Sequence, residues 1–206
     1  MLLVVDLMHE FELGIWKALF THLICILSAT EAGDILVSEL NHRYRMVPTF
    51  GRDTIRKFAS NTLEMKQMAA HDFKDVLQVS PHPIFLAFEF LSKCDQCAIP
   101  VFDALLPEQH NKTVLTLIFT CAYWHVLAKM RMHTDEMLAL LDTVMEHLGR
   151  CLRHFQWKTC AAFNAQELKQ EVEHRQRCES KSQTGNSIAT PITQGVRRTK
   201  TFNLKT

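Results

Sequence analysis

The chain has 206 residues, 47% hydrophobic and 22% charged, with six glycines, six prolines and a formal net charge of +1. That is enough for one buried core, or a core with a tail, of helix-rich globular character, and the whole-chain charge balance says nothing about nucleic acid. The longest uncharged run, Thr113 to Ala128, falls short of the roughly 18 to 20 residues of a membrane span and contains His125, so it reads as a buried core helix.

Residues 2–6 (Leu2-Leu3-Val4-Val5-Asp6) read as one short strand with no later partner in the chain, a sign that its sheet lies elsewhere. Asp6 and His9 follow at the strand's carboxyl end, where a carboxylate and an imidazole can face one crevice; an aspartate at a strand-to-helix junction can equally be the helix N-cap. Helix one is expected from about His9 to Thr30, with Phe11, Ile15, Leu19, Leu23 and Ile26 as its stripe and Leu13, Trp16 and Phe20 widening it. The acids Asp6, Glu10 and Glu12 in this apolar start argue against a secretory leader. Helix two is expected from Asp34 as N-cap to Pro48, with Ile35, Leu36, Leu40 and Tyr44 on one side.

A turn at 49–54, a short helix at 53–59 and a capping-box helix from Asn61 to Gln78 follow, the last burying Leu63, Met68, Phe73 and Leu77. Helix resumes from Ala98 to Leu106. A central helix runs from Pro107 to about Met130, and Thr134 then caps a helix to Trp157. The last two form an antiparallel hairpin, and Met137, Leu140, Leu141, Val144, Leu148, Leu152 and Phe155 make the stripe of the second. After Gln166 apolar density falls: Glu167 to Arg175 reads as an exposed helix, and Cys178 to Thr206 as a disordered tail. Six cations against Glu179 give residues 176–206 a charge of +5. The division is therefore a helical domain with an N-terminal strand at 1–165, then an exposed helix and basic tail at 166–206.

Asp6-Leu-Met-His-Glu-Phe-Glu-Leu-Gly-Ile-Trp-Lys17, Asn41-His-Arg-Tyr-Arg-Met-Val-Pro48 and Met132-His-Thr-Asp-Glu-Met-Leu-Ala-Leu-Leu-Asp142, in that order, resemble the core of fungal Plavaka-type DNA transposases, relatives of the CACTA and Kyakuja-Dileera-Zisupton groups. The resemblance spans most of residues 2–160 and continues weakly at Phe202 to Thr206. It implies that residues 2–6 are one strand of an RNase H-like fold whose other strands precede Met1, an imposed start. It implies too that Asp6 is the second carboxylate of an Asp-Asp-Glu triad holding Mg²⁺ or Mn²⁺, with His9 in support. Family members pass from the equivalent of Leu77-Gln78 directly to Cys97-Ala-Ile-Pro100, so residues 79–96 resemble a short intron retained in frame. Val79-Ser80 is compatible with a GTA-AGN donor and Gln96 with a CAG acceptor.

Two-metal phosphodiester chemistry needs carboxylates from several places to hold ions about 3.5 to 4 Å apart, and one aspartate supplies too few oxygens. Catalysis by this chain alone is not expected. Cys94-x-x-Cys97 has metal-ligand spacing, but neither a second Cys-x-x-Cys nor a His-x₃₋₅-His pair follows. The seven cysteines, an odd number and several within apolar helical patterns, favour a reducing nuclear or cytoplasmic setting. Arg43, Arg45, Arg52, Arg56 and Lys57 cluster around the Pro48 turn and can meet phosphates, or be a solvated helix face. The expected function is that of a transposon-derived, catalytically incomplete remnant, or else a standalone helical module contacting protein or nucleic acid. No membrane or small-molecule partner is evident.

Overall fold

Helices make up most of the described chain. The computed structural model describes residues 7–47, 73, 76, 77, 98–182 and 197–202. The expected strand at 2–6, the elements at 49–59, the start of the Asn61 helix with Leu63 and Met68, and the insert at 79–96 lie outside these residues. No strand occurs among the described residues, where the β pairing is limited to an antiparallel bridge of Gln166 with Thr199.

A π-helical stretch, Leu7–Trp16, runs directly into α1, Lys17–Ser28. The single helix expected here therefore changes winding midway. Its wider ring shifts the side-chain phase, so that adjacent Phe11 and Glu12 are both buried. Gly14 suits this geometry, since a Cβ there would come within 3.1 Å of the His9 carbonyl oxygen. The segment His9–Ser28 is long and apolar enough to cross a membrane, but 67% of that window is packed inside the protein.

α2 spans Gly33–Met46. Its N-cap is Ala32, with no side-chain capping bond, and the expected cap Asp34 instead sits in the first turn. Gly33 sets this start, because a Cβ on it would lie 2.5 Å from Ser28 O. That phase turns Ile35 outward, 72% exposed, while Leu40 and Tyr44 reach the core as expected. α3 is short, Ala98–Phe102, and ends earlier than the expected Leu106. Beyond it Ala104 takes a left-handed φ of 57°. Its amide donates to Asn111 Oδ1 at 3.1 Å, and Asn111 Nδ2 donates to Asp103 Oδ1 at 3.0 Å, which holds the turn.

α4, Glu108–Ala128, is the central helix expected, with Val114, Leu117, Ile118, Cys121, Trp124 and Leu127 buried. Pro107 occupies its N-cap, where a missing N–H costs nothing, and its carbonyl accepts from the amides of His110 and Asn111. α5, Asp135–His154, returns antiparallel, its Thr134 hydroxyl capping the Met137 amide at 3.3 Å. Asp135 and Glu136 in its first turn, and Arg153 and His154 in its last, match the helix dipole. Of its expected stripe, Val144, Leu148, Leu152 and Phe155 are buried, whereas Leu140 is 39% exposed because the first half of α5 reaches past the core. A π-helical turn, Phe155–Thr159, and a 3-10 turn, Cys160–Ala162, close the hairpin.

The core gathers Trp16, Phe20, Tyr44, Phe73, Phe102 and Phe155. Trp16 Nε1 donates to the carbonyl of Phe73 at 2.9 Å, and the Phe20 ring meets Tyr44 and Phe102 edge-on. The expected burial of Phe73 and Leu77 is therefore found.

The C-terminal region differs most from expectation. α6 runs over Lys169–Ser182, past the predicted end at Arg175. Residues 197–202, expected in a disordered tail, pair with the chain before α6: Glu167 N donates to Arg198 O and Lys200 N to Ala165 O. Phe202 is buried. Backbone pairing, the Lys200–Glu171 ion pair and one aromatic anchor suffice to dock a segment that has no helical periodicity.

Candidate functional site

The first candidate lies around the residues after Asp6, itself outside the described residues. His9 and Glu10 are exposed. Glu12 is not: its carboxylate oxygen lies 2.9 Å from His125 Nε2 and 2.9 Å from Lys129 Nζ, both carried by the end of α4. Burial opposes charge on Glu12, yet hydrogen bonds from Lys129 and His125 and their positive charge hold its carboxyl below the usual range. Phe11 stacks beside this group, 4.6 Å from the Trp124 ring and 5.4 Å from that of His125. Glu12, the buried acid of this stretch, thus fastens the π-helical entry to α4 and is taken up by internal pairing.

Among the described residues, no group of three His, Cys, Asp or Glu side chains stands together so as to hold a metal ion. Cys94 and Cys97 lie outside them. The described cysteines are free thiols. Burial pushes Cys25 and Cys160 up to about 12, and raises Cys121 too, so these three are neutral, inert sulfurs.

Of the expected phosphate-contacting residues, Arg52, Arg56 and Lys57 also lie outside the described residues. Arg43 serves the fold. Its guanidinium donates to Glu39 at 2.7 Å, to Val101 O at 3.2 Å and to Asp103 O at 2.6 Å, tying α2 to the end of α3. Arg45 is exposed. The structure therefore does not bring Arg43 and Arg45 together as one solvent-facing pair.

A different cationic surface forms where α4 packs on α5. An open groove of about 530 Å³ is lined by Glu108, Lys112 and Thr116 of α4, Arg150 and His154 of α5, and Lys158 of the following π-helical turn. Lys112, Arg150, His154 and Lys158 are all exposed, and Glu108 is the sole acid among the groove's lining residues. The spacing of Arg150, His154 and Lys158, four residues apart, places them on one side of a continuous helical run. Lys112 joins them only because the hairpin brings the start of α4 beside the end of α5. With Lys112, Arg150 and Lys158 against Glu108 alone among its lining residues, such a groove attracts anions. Pattern alone does not reveal it, because each cation taken singly looks like part of a solvated helix face.

No family model matches the chain, and no curated protein or solved structure matches it either.

Proposed function

We propose that this chain is a helical module that rests against a nucleic-acid backbone, derived from a Plavaka-type transposase core and not catalytic by itself. The observation that supports the contact is the α4/α5 groove, where Lys112, Arg150 and Lys158 face solvent with Glu108 as the one acid among the lining residues. The lineage rests on the order of the three motifs beginning at Asp6, Asn41 and Met132. In that lineage residues 2–6 would join an RNase H-like sheet, with Asp6 as one ligand of a Mg²⁺ or Mn²⁺ pair. Asp6 itself lies outside the described residues; among those described, Glu12 is tied to His125 and Lys129, and no three candidate ligands converge. No metal-dependent step is assigned to this chain. The free thiols suit a nuclear or cytoplasmic setting.

The test is fluorescence anisotropy with a mixed-sequence duplex over a salt series. Binding weakens steeply with salt, and the triple variant K112E/R150E/K158E loses at least ~10-fold in affinity with a shallower salt slope. A triple variant that binds as tightly as the parent, with the same slope, overturns the contact.

A further inference from the structure

The segment 197–202 closes over a side chain that has no hydrogen-bond partner among the described residues. His22 on α1 is 1% exposed, and neither ring nitrogen is bonded. Its ring is boxed by Phe202 at 5.3 Å between centroids and Phe155 at 6.2 Å. Around this box the segment is held by polar contacts at its edges. Lys200 pairs with Glu171 of α6, and Gln156 Nε2 donates to the Phe202 carbonyl at 2.7 Å. Upstream, Arg198 N donates to Glu167 at 3.2 Å. A buried imidazole with unbonded nitrogens opposes closure, because it gives up water for nothing; burial of the Phe202 ring favours it. The two effects act on the same lid.

We infer that α1, α6, residues 165–167 and the 155–159 turn form a groove whose occupant is this chain's own segment 197–202, released when His22 takes up a proton. The groove reads a backbone by antiparallel pairing, a cation through Glu171 and an aromatic two residues later through His22 and Phe155. The charged groups facing the imidazole are Lys200 from the segment and Glu171 from α6, and on α1 itself Cys25 stays a neutral thiol. Burial, followed by the positive charge of Lys200, lowers His22 from 6.5 to about 4, against a smaller raising effect of Glu171. The closed form therefore refuses a proton that the open form accepts. As pH falls below about 6.5, opening becomes up to ~10-fold more favourable per pH unit, to the extent that lifting Phe202 returns the ring to water.

Amide hydrogen exchange read by NMR on the full chain tests this. The reporters are the Glu167 and Lys200 amides, which bond to Arg198 O and Ala165 O; the Cys121 amide in α4 is the reference. Between pH 7.5 and 5, reporter protection, corrected for intrinsic exchange, falls by up to ~10-fold per pH unit while Cys121 keeps its protection. His22→Leu keeps the reporters protected across the range, and Phe202→Ala leaves them unprotected throughout. Reporter protection that stays flat in the parent overturns the inference, as does loss in step with Cys121 or an equal fall in His22→Leu, which would assign release to the carboxylates. Should the leucine variant not fold, the ring signal of His22 in the parent decides: titration near 6.5 overturns the inference, and titration well below it supports it.

Discussion

Glu12 and His125 meet at 2.9 Å across 113 residues of sequence, joining the π-helical entry to the far end of α4. His125 is nearly covered, while Lys129, the second cation on the same carboxylate, is 36% exposed. Glu12→Ala strands a buried imidazole and a partly wetted ammonium, so we expect a loss of about 3 kcal/mol, the low end for a broken buried pair because solvent screens Lys129. Glu12→Gln keeps a hydrogen-bond acceptor and should lose less. Glu10→Ala, on the exposed side of the same turn, should stay within about 0.5 kcal/mol. Urea unfolding of the three variants checks the order; equal loss for Glu10→Ala and Glu12→Ala would show that the pair is not what fastens the entry.

Two glycines separate close packing from helix propensity. A Cβ at Gly33 would fall 2.5 Å from Ser28 O and 2.8 Å from its carbonyl carbon, both rigid backbone. Gly33→Ala should therefore cost about 1 to 3 kcal/mol by forcing α1 and α2 apart. At Gly149, inside α5, the nearest atom is the Arg153 guanidinium at 3.4 Å, the mobile end of a side chain. Gly149→Ala should raise stability by up to about 1 kcal/mol through helix propensity. Thermal unfolding midpoints that shift in opposite directions are the expected result.

The α4/α5 hairpin is legible in the sequence because local signals agree there: Pro107 before a long uncharged apolar run, then Thr134 capping a helix whose apolar stripe has a period near 3.6. Local pattern misleads where tertiary contact overrides it. Asp34 is a good cap by type, but the approach of Gly33 to Ser28 sets the start of α2 two residues earlier, with Ala32 as the cap. Glu12 reads as a solvated acid until His125 and Lys129 arrive from the other end of the chain. Lys200 and Phe202 sit in a polar stretch with no periodicity, and only Glu171 and the His22 box give them a place. The groove cations share this fate, since Arg150 and Lys158 find Lys112 only through the hairpin.

Acid should destabilise the fold in two phases. His22 is lowered by burial and Lys200 from 6.5 to about 4, so it stays neutral in the folded chain while the unfolded chain binds a proton below 6.5. Its contribution is complete above pH 6.5 and is lost as pH falls toward 4, with a ceiling of about 3 kcal/mol. His110, lowered by burial and then by Lys158, adds in the same direction. Glu12, held below its usual 4.5, withdraws its stabilisation only beneath that value. Between pH 7 and 5 urea unfolding should show a loss of about 2 kcal/mol, at least as large as the fall in the free energy of 197–202 opening, because unfolding frees the same His22 ring and His110 besides. His22→Leu should remove most of this first phase and leave the second in place.

Arg43 and Arg150 should divide stability from binding. Arg43→Ala deprives Val101 O and Asp103 O of their donor at the end of α3, which should cost about 1 to 2 kcal/mol in urea unfolding. Its affinity for duplex DNA should change by less than ~2-fold, since the guanidinium is engaged in the fold and faces α3. Arg150 is exposed on the groove, so Arg150→Ala should leave stability within about 0.5 kcal/mol. Its anisotropy-measured affinity should fall several-fold, and the salt slope should become shallower by about 1, the change expected when a single phosphate is no longer neutralised. The reverse pattern, with DNA binding sensitive to Arg43 and indifferent to Arg150, would move the contact face from the α4/α5 groove to the end of α2.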